Sequence, residues 1–291
     1  MADPRPRLAR EVAALRFLAG GSDWPFDIPS VLAFDEDAGV GLYSWLDGSG
    51  AGPATDRDLE QLSLAIGAFT QVSRRAAAHT LTEAAEATLT AQELITQIRR
   101  REAALLAVAA GEPPLADLLR YDFAEALESG SRALERRYAA AGLSLTEDLP
   151  PGAAVLSPSD FGLHNCLRRP DGRLAFLDFE YFGWDDPVRL VTDVICHPAM
   201  ALDADQRSRF LAVSAPVFQA DPTFAVRLEA MAPLIALRWA MIVLNEFIPA
   251  HWRRRVEAGL SEPWADAKAR QIHKARTLIA LGRSFQTTRW T

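Results

Sequence analysis

A chain of 291 residues, 49% of them hydrophobic, has enough apolar material for one large domain or two smaller ones. Its formal charge of −7 argues against sequence-independent nucleic-acid binding, which needs a basic surface, and suits cationic partners. The two cysteines, Cys166 and Cys196, make no disulfide framework, no secretory core opens the chain, and the apolar stretch 231–244 contains Arg238 and is too short for a bilayer; a cytoplasmic protein without a membrane partner is expected.

The first predicted element is an amphipathic helix over residues 7–19, with Leu8, Val12, Leu15 and Leu18 at helical spacing and Glu11 among them. Gly20-Gly21 ends it. Two strands follow, 28–34 and 39–45, joined by Asp35-Glu36-Asp37-Ala38. Residues 56–142 read as helical throughout. Thr55 caps a helix running to about residue 78, a long Ala- and Glu-rich helix covers 82–110, and Pro113-Pro114 opens a third that ends near Gly142. Pro150-Pro151-Gly152 leads into a strand over 153–157. Beyond Pro187 the chain is helical again, at about 188–196, 204–218, 223–248 and 263–283. No repeat or low-complexity linker separates these parts.

The chemistry concentrates between Ser157 and Tyr181. Pro170-Asp171-Gly172 is a strong turn signal, flanked by two short strands, 165–169 and 173–178. Folding the hairpin about Asp171-Gly172 sets Asn165 opposite Asp178 on one face. An amide oxygen beside a carboxylate is a hard ligand pair suited to Mg²⁺. Asp160, in the loop that feeds the first strand, reaches the same spot. An Asp, an Asn five residues on, and an Asp after the next strand is the arrangement of protein-kinase-like enzymes, in which the first Asp serves the acceptor hydroxyl and the other two residues hold Mg²⁺.

With the continuation Asp178-Phe179-Glu180-Tyr181 and the later Asp193, this segment resembles the aminoglycoside phosphotransferase and choline kinase family. The resemblance implies an α+β, protein-kinase-like two-lobe fold, with a reduced N-terminal lobe and hinge over 1–48 and a large, mostly helical lobe over 49–291 that contains the hairpin. It assigns Asp160 as catalytic base, Asn165 and Asp178 as metal ligands, and Asp193 as support for the catalytic loop. Ser157 stands where the family has a bracing His, so altered bracing is expected. Glu11 resembles the regulatory-helix Glu, and the adenine hinge falls near Tyr43, Ser44 and Trp45. The family's glycine-rich loop and lysine strand have no counterpart: the chain's lysines are Lys268 and Lys274, and ten residues precede Glu11. That departure implies either a start assigned too far downstream or a natural reduction. No basic side chain of residues 1–48, Arg5, Arg7 and Arg10 included, is expected to replace the lysine.

The resemblance implies transfer of the γ-phosphate of ATP or GTP, with Mg²⁺, to a hydroxyl of an amino-alcohol, aminoglycoside or related metabolite. The alternative is a pseudokinase-like binding module that keeps the fold but not the transfer. Glu180, Trp184 and Asp185, with Trp239 and Glu246 seven residues apart on one helical face, are the candidates for a cationic acceptor. His164, Cys166, Cys196 and His197 lack the spacing of a structural zinc site, and His164 is expected on a strand facing away from the metal, so ordinary packing is the reading there.

Overall fold

The expected N-terminal helix forms as α1 (Arg7–Ala19), burying Val12, Ala14, Leu15 and Leu18 along one stripe. The structure, a computed structural model, describes residues 7–150 and 152–287. Arg5 lies outside the described residues. β1 (Val31–Asp35) and β2 (Val40–Tyr43) pair antiparallel, with a bulge at Leu32. After the short β3 (Ser49–Gly50) comes α2 (Asp56–Val72). Its start is fixed by a capping box: the Thr55 hydroxyl accepts from the Asp58 N–H, and the Asp58 carboxylate accepts from the Thr55 N–H.

Residues 82–89, expected as helix, are not helical. Two backbone bonds tie Thr82 and Ala84 to Trp184, and a third runs from the Ala85 N–H to Tyr181. That pairing overrides the helical composition, and a second capping box at Thr90 starts α3 (Ala91–Ala109) instead. The third predicted helix is α4 (Pro113–Asp117) and α5 (Ala124–Ala140) joined by a π-helical turn, Leu118–Phe123.

β4 (Val155–Ser157) leads to the loop of interest. β5 (Cys166–Arg168) and β6 (Leu174–Phe176) form the hairpin, with β3 on the outer edge of β5. β7 (Gly183–Asp185) pairs with β4. Then come α6 (Pro187–Cys196), α7 (Ala204–Ser214), α8 (Phe224–Val243), α9 (Pro249–Glu257) and α10 (Trp264–Thr287). Residues 224–247 are long and apolar enough to cross a membrane, but 78% of their most apolar 18-residue window is buried, as expected of a core helix.

The chain divides into two compact units. One runs to Leu89 and resumes over Leu149–Phe224; the other takes Thr90–Asp148 and the chain from Ala225 on. This division falls elsewhere than the expected lobe boundary at residue 48. The first unit holds the hairpin on an aromatic floor. Phe161 stacks on Phe176 at 5.8 Å and meets Phe69 edge-on at 5.7 Å, and Trp24 lies 4.8 Å from Phe69. Asp27 adds a bridge beside Ala175, its carbonyl accepting from the Phe176 N–H. Burial of these rings anchors both ends of the hairpin.

Candidate active site

The loop between β4 and β5 turns on Ser159, which has a φ of 59°. A non-glycine residue in the left-handed region costs free energy and persists where its surroundings over-determine it. Here the Ser157 hydroxyl accepts from the Ser159 N–H at 3.0 Å, and the Ser159 hydroxyl donates to Asp185 at 3.3 Å. Asp185 is fully buried and also accepts from the Thr88 and Asp186 N–H groups, each at 2.8 Å. Desolvation still pushes its carboxyl up. Asp185 thus braces the loop from inside and does not face a substrate. Asp193 is buried on α6 with Arg189, 3.6 Å away, and the Arg189 guanidinium also senses the charges of Asp185 and Asp160.

Asp160 follows the strained residue. Its burial raises the carboxyl pKa, but the His164 hydrogen bond, the charges of His164 and His197 and the Asn165 amide together outweigh that, holding the group below the usual carboxylate range. His164 Nε2 lies 3.0 Å from Asp160 Oδ1, and His197 Nε2 lies 3.7 Å from the same oxygen. The two imidazoles stack at 3.8 Å with planes 11° apart. His164 was expected on a strand facing elsewhere. It sits instead in a 3₁₀ turn, Leu163–Asn165, whose tighter winding carries the ring back over Asp160. Both cysteines are buried, and burial pushes their thiols up, so neither supplies a thiolate.

The hairpin register differs from the expected one by a residue. Cys166 pairs with Phe176, so Asn165 falls opposite Leu177 and its carbonyl accepts the Leu177 N–H at 2.9 Å; Asp178 is one position further on. Strict alternation would then send Asp178 to the other face. Instead β6 ends at Phe176 and Asp178 adopts a φ of 63°, which breaks the alternation. Asn165 and Asp160 line one small cleft with Pro158, Gly162 and Leu177, and the Asn165 amide donates to the Asp160 carbonyl at 3.0 Å.

Asp178 has the opposite electrostatics. Burial, then the charges of Glu180, Asp160 and Glu11, push its carboxyl up to about 6. The expected helix Glu is thus directed toward the hairpin end. Tyr43 hydrogen-bonds it at 2.9 Å, and burial together with Glu11 pushes the Tyr43 hydroxyl up to about 12. Arg10 is turned away, donating to Thr82 and to the carbonyls of Glu83 and Phe182. Arg7 forms an ion pair with Glu180 and lies over the Tyr181 ring at 5.2 Å. The oxygen donors gathered at this end of the hairpin, Asp178 with Glu180 and Glu11 near it, are of the hard kind that suits a divalent cation such as Mg²⁺.

The remaining candidates divide. Ser44 exchanges hydrogen bonds with Ser30, and Trp45 is 87% exposed with its indole N–H on Asp47. Trp184 is tied into the first unit through the Ala78 carbonyl. Trp239 and Glu246 belong to the second unit. Trp239 is buried, and Glu246 is buried with Arg255 at 3.0 Å and Arg270 at 3.6 Å. The residues that pattern reading undervalued are His164 and His197. Four-residue spacing from Asp160 was the available signal for the first; nothing local marks the second.

No protein-family model matches the chain, and no curated protein does. Solved structures do. The choline kinase LicA from Streptococcus pneumoniae aligns over 94% of this chain and 80% of its own, at 15% identity and a TM-score of 0.54. A spectinomycin phosphotransferase, solved with ADP and spectinomycin, aligns over 96% and 83% at 7% identity and a TM-score of 0.57. An aminoglycoside phosphotransferase from Alicyclobacillus acidocaldarius gives 96% and 82% at 14% identity and a TM-score of 0.52. These likenesses establish the fold: α+β and protein-kinase-like, with a small N-terminal helix-and-strand lobe and a larger, mostly helical C-terminal lobe.

Proposed function

We propose that this chain is a small-molecule phosphotransferase, using Mg²⁺ and ATP or GTP to phosphorylate a hydroxyl of a cationic acceptor. The carrying observation is the placement of Asp160 and Asn165 in one small cleft before the hairpin, joined by a hydrogen bond, with Asp178 at the hairpin's other end and near enough to sense the Asp160 charge. Two carboxyl groups so placed in different surroundings suit distinct roles. Asp160 stays ionised and presents an acceptor; it orients the hydroxyl and receives its proton as the oxygen bonds to the γ-phosphorus and the bridge to the β-phosphate breaks. A carboxylate of low basicity suits a loose transition state, in which the proton leaves late and positioning matters most.

Asn165 and Asp178 would hold Mg²⁺, which supplies charge neutralisation on the phosphates when bound. On this reading the Tyr43–Trp45 segment would meet the nucleotide base, and an ammonium group would compete with Arg7 for Glu180. Choline and spectinomycin, the acceptor classes named for two structures of this fold, are cations with free hydroxyls, in keeping with the acidic chain.

One observation favours a binding-only protein: the charges of Glu180, Asp160 and Glu11 act together on Asp178, an acidic setting for a phosphate. Isothermal titration of Mg²⁺–ATP and Mg²⁺–GTP, alongside nucleotide consumption over an amino-alcohol and aminoglycoside panel, separates the readings. Binding with turnover supports transfer. Binding without turnover makes it a pseudokinase, and absence of both leaves only the fold.

A further inference from the structure

We propose that His164 and His197 act as a paired-imidazole brace that aims the Asp160 carboxylate, beside the backbone bracing that Ser157 and Ser159 supply to the loop. The inference rests on the phosphotransferase reading and names two positioning residues for it. An aspartate on a loop can rotate about its last side-chain bond, and a misaligned carboxylate loses the near-attack geometry that such a reaction depends on. Here both imidazole Nε2 atoms face one oxygen, Oδ1, at 3.0 and 3.7 Å. The His164 hydrogen bond, with the His197 imidazole stacked behind it and within ion-pair reach of the same oxygen, fixes the carboxylate plane and leaves Oδ2 for the acceptor hydroxyl.

The proton positions follow from the partners. His197 caps the C-terminus of α6, and its Nδ1 accepts the Ala199 N–H at 3.1 Å. A neutral ring with an accepting Nδ1 carries its proton on Nε2, the atom that faces Asp160. His164 is held by contact. Its ring lies against His197 on one side, and on another against Gly162, where an added Cβ would come within 2.9 Å of the ring and 2.9 Å of the Met200 sulfur. The same sulfur accepts the Leu163 N–H at 3.1 Å, which fixes the start of the turn.

The same three side chains bring candidate ligand atoms within 4.8 Å of one another, a spacing that could suggest a zinc or other transition-metal site. The tautomer argues against it. A metal on His197 Nε2 would require that nitrogen's lone pair, moving the proton to Nδ1, where it would face the Ala199 N–H. The brace and a metal site therefore make opposite demands on one proton.

Long-range ¹H–¹⁵N correlation spectra of the full chain with ¹⁵N-labelled histidine test this directly. Of the five histidines, His164 and His197 are expected as Nε2–H tautomers whose Nε2 resonances shift in Asp160→Asn, with the other three unmoved. An Nδ1–H tautomer at His197, or insensitivity of both rings to Asp160→Asn, overturns the brace. So does stoichiometric Zn²⁺ that removes the His197 Nε2–H signal. These readouts need no turnover, so an inactive wild type would sink the phosphotransferase reading and leave the geometry decided. Where turnover is found, His164→Ala and His197→Ala should each lower kcat by about 10²-fold, the scale of a misplaced reacting group. KM for the nucleotide should hold. His197→Gln, which keeps an N–H at the same reach, should restore most of the rate. Unchanged kcat in both Ala variants, or Gln no better than Ala, rejects the positioning role.

Discussion

The two ends of the catalytic hairpin are built on opposite principles. Before β5, Asp160 is surrounded by donors: two imidazoles, the Asn165 amide and a loop braced through Ser157, Ser159 and Asp185. After β6, Asp178 is surrounded by carboxylates, those of Glu180, Asp160 and Glu11. The first end is satisfied by donors from within the fold; at the second, carboxylates face one another. On the phosphotransferase reading, positioning energy is stored at the first end while binding energy is collected at the second.

The strongest break in that contrast is to delete one end at a time. Asp178→Ala should weaken Mg²⁺–nucleotide binding by 10²-fold or more, on the scale of other lost electrostatic partners, whereas Asp160→Asn should abolish turnover and leave binding nearly intact. Titration calorimetry on both variants checks this, and equal binding by both would remove the metal assignment.

The next test concerns sign. The folded-state pKa of Asp178 is raised to about 6, above its ordinary value of 3.8, so the folded protein holds that proton more tightly than the unfolded chain does. Its contribution to stability is present below pH 3.8 and is lost as pH rises through 6. Asp178→Asn should therefore raise Tm at pH 7.5 in the absence of Mg²⁺ and change little below pH 4. Thermal melts at the two pH values decide it. Mg²⁺ should raise the wild-type Tm at pH 7.5 and do so less at pH 5, where the proton competes for the carboxylate.

Arg7→Ala is the mildest perturbation. It leaves Glu180 unneutralised beside Asp178 at a partly exposed pair, for which a coupling of about 0.2–1 kcal/mol is usual. A Mg²⁺ affinity raised at pH 8, and raised less at pH 6 where the extra charge also tightens the competing proton on Asp178, is the expected result by titration. The sign separates it from loss of helix α1, which would weaken binding at both.

What could be read from the sequence follows the same division. The turn at Asp171-Gly172 and the Thr55 cap are local signals, and both formed where local chemistry put them; the Asp160–Asn165–Asp178 spacing is local too, but its strand pairing is not the expected one. The register slipped by one because Arg169 closes on Arg173 and leaves three residues in the loop, Pro170-Asp171-Gly172, with Gly172 in the left-handed region, where a fold about Asp171-Gly172 implies two. Residues 82–89 were read as helix from composition, while their hydrogen bonds go to Tyr181 and Trp184, about a hundred positions away. His197 reaches Asp160 from the end of a helix that begins after the hairpin, a contact set by packing of α6. The site's identity was therefore local, and its bracing was tertiary.

The π-helical turn between α4 and α5 has a consequence for how this chain tolerates length changes. Leu115, Leu119, Phe123 and Leu127 are all buried, at a uniform spacing of four. In a regular α-helix, four residues overshoot a full turn by about 40°, so such a stripe would wind off its face within a few steps. The wider turn over Leu118–Phe123 absorbs the overshoot and keeps both flanks aimed at one core. The wide turn cancels the rotation of about one residue, so losing a single residue there would let the backbone relax to ordinary helix with both flanks still in phase, whereas losing a second would rotate everything beyond it by about 100°. At this point of the second unit the first deletion is absorbed, and the next is read as torsion.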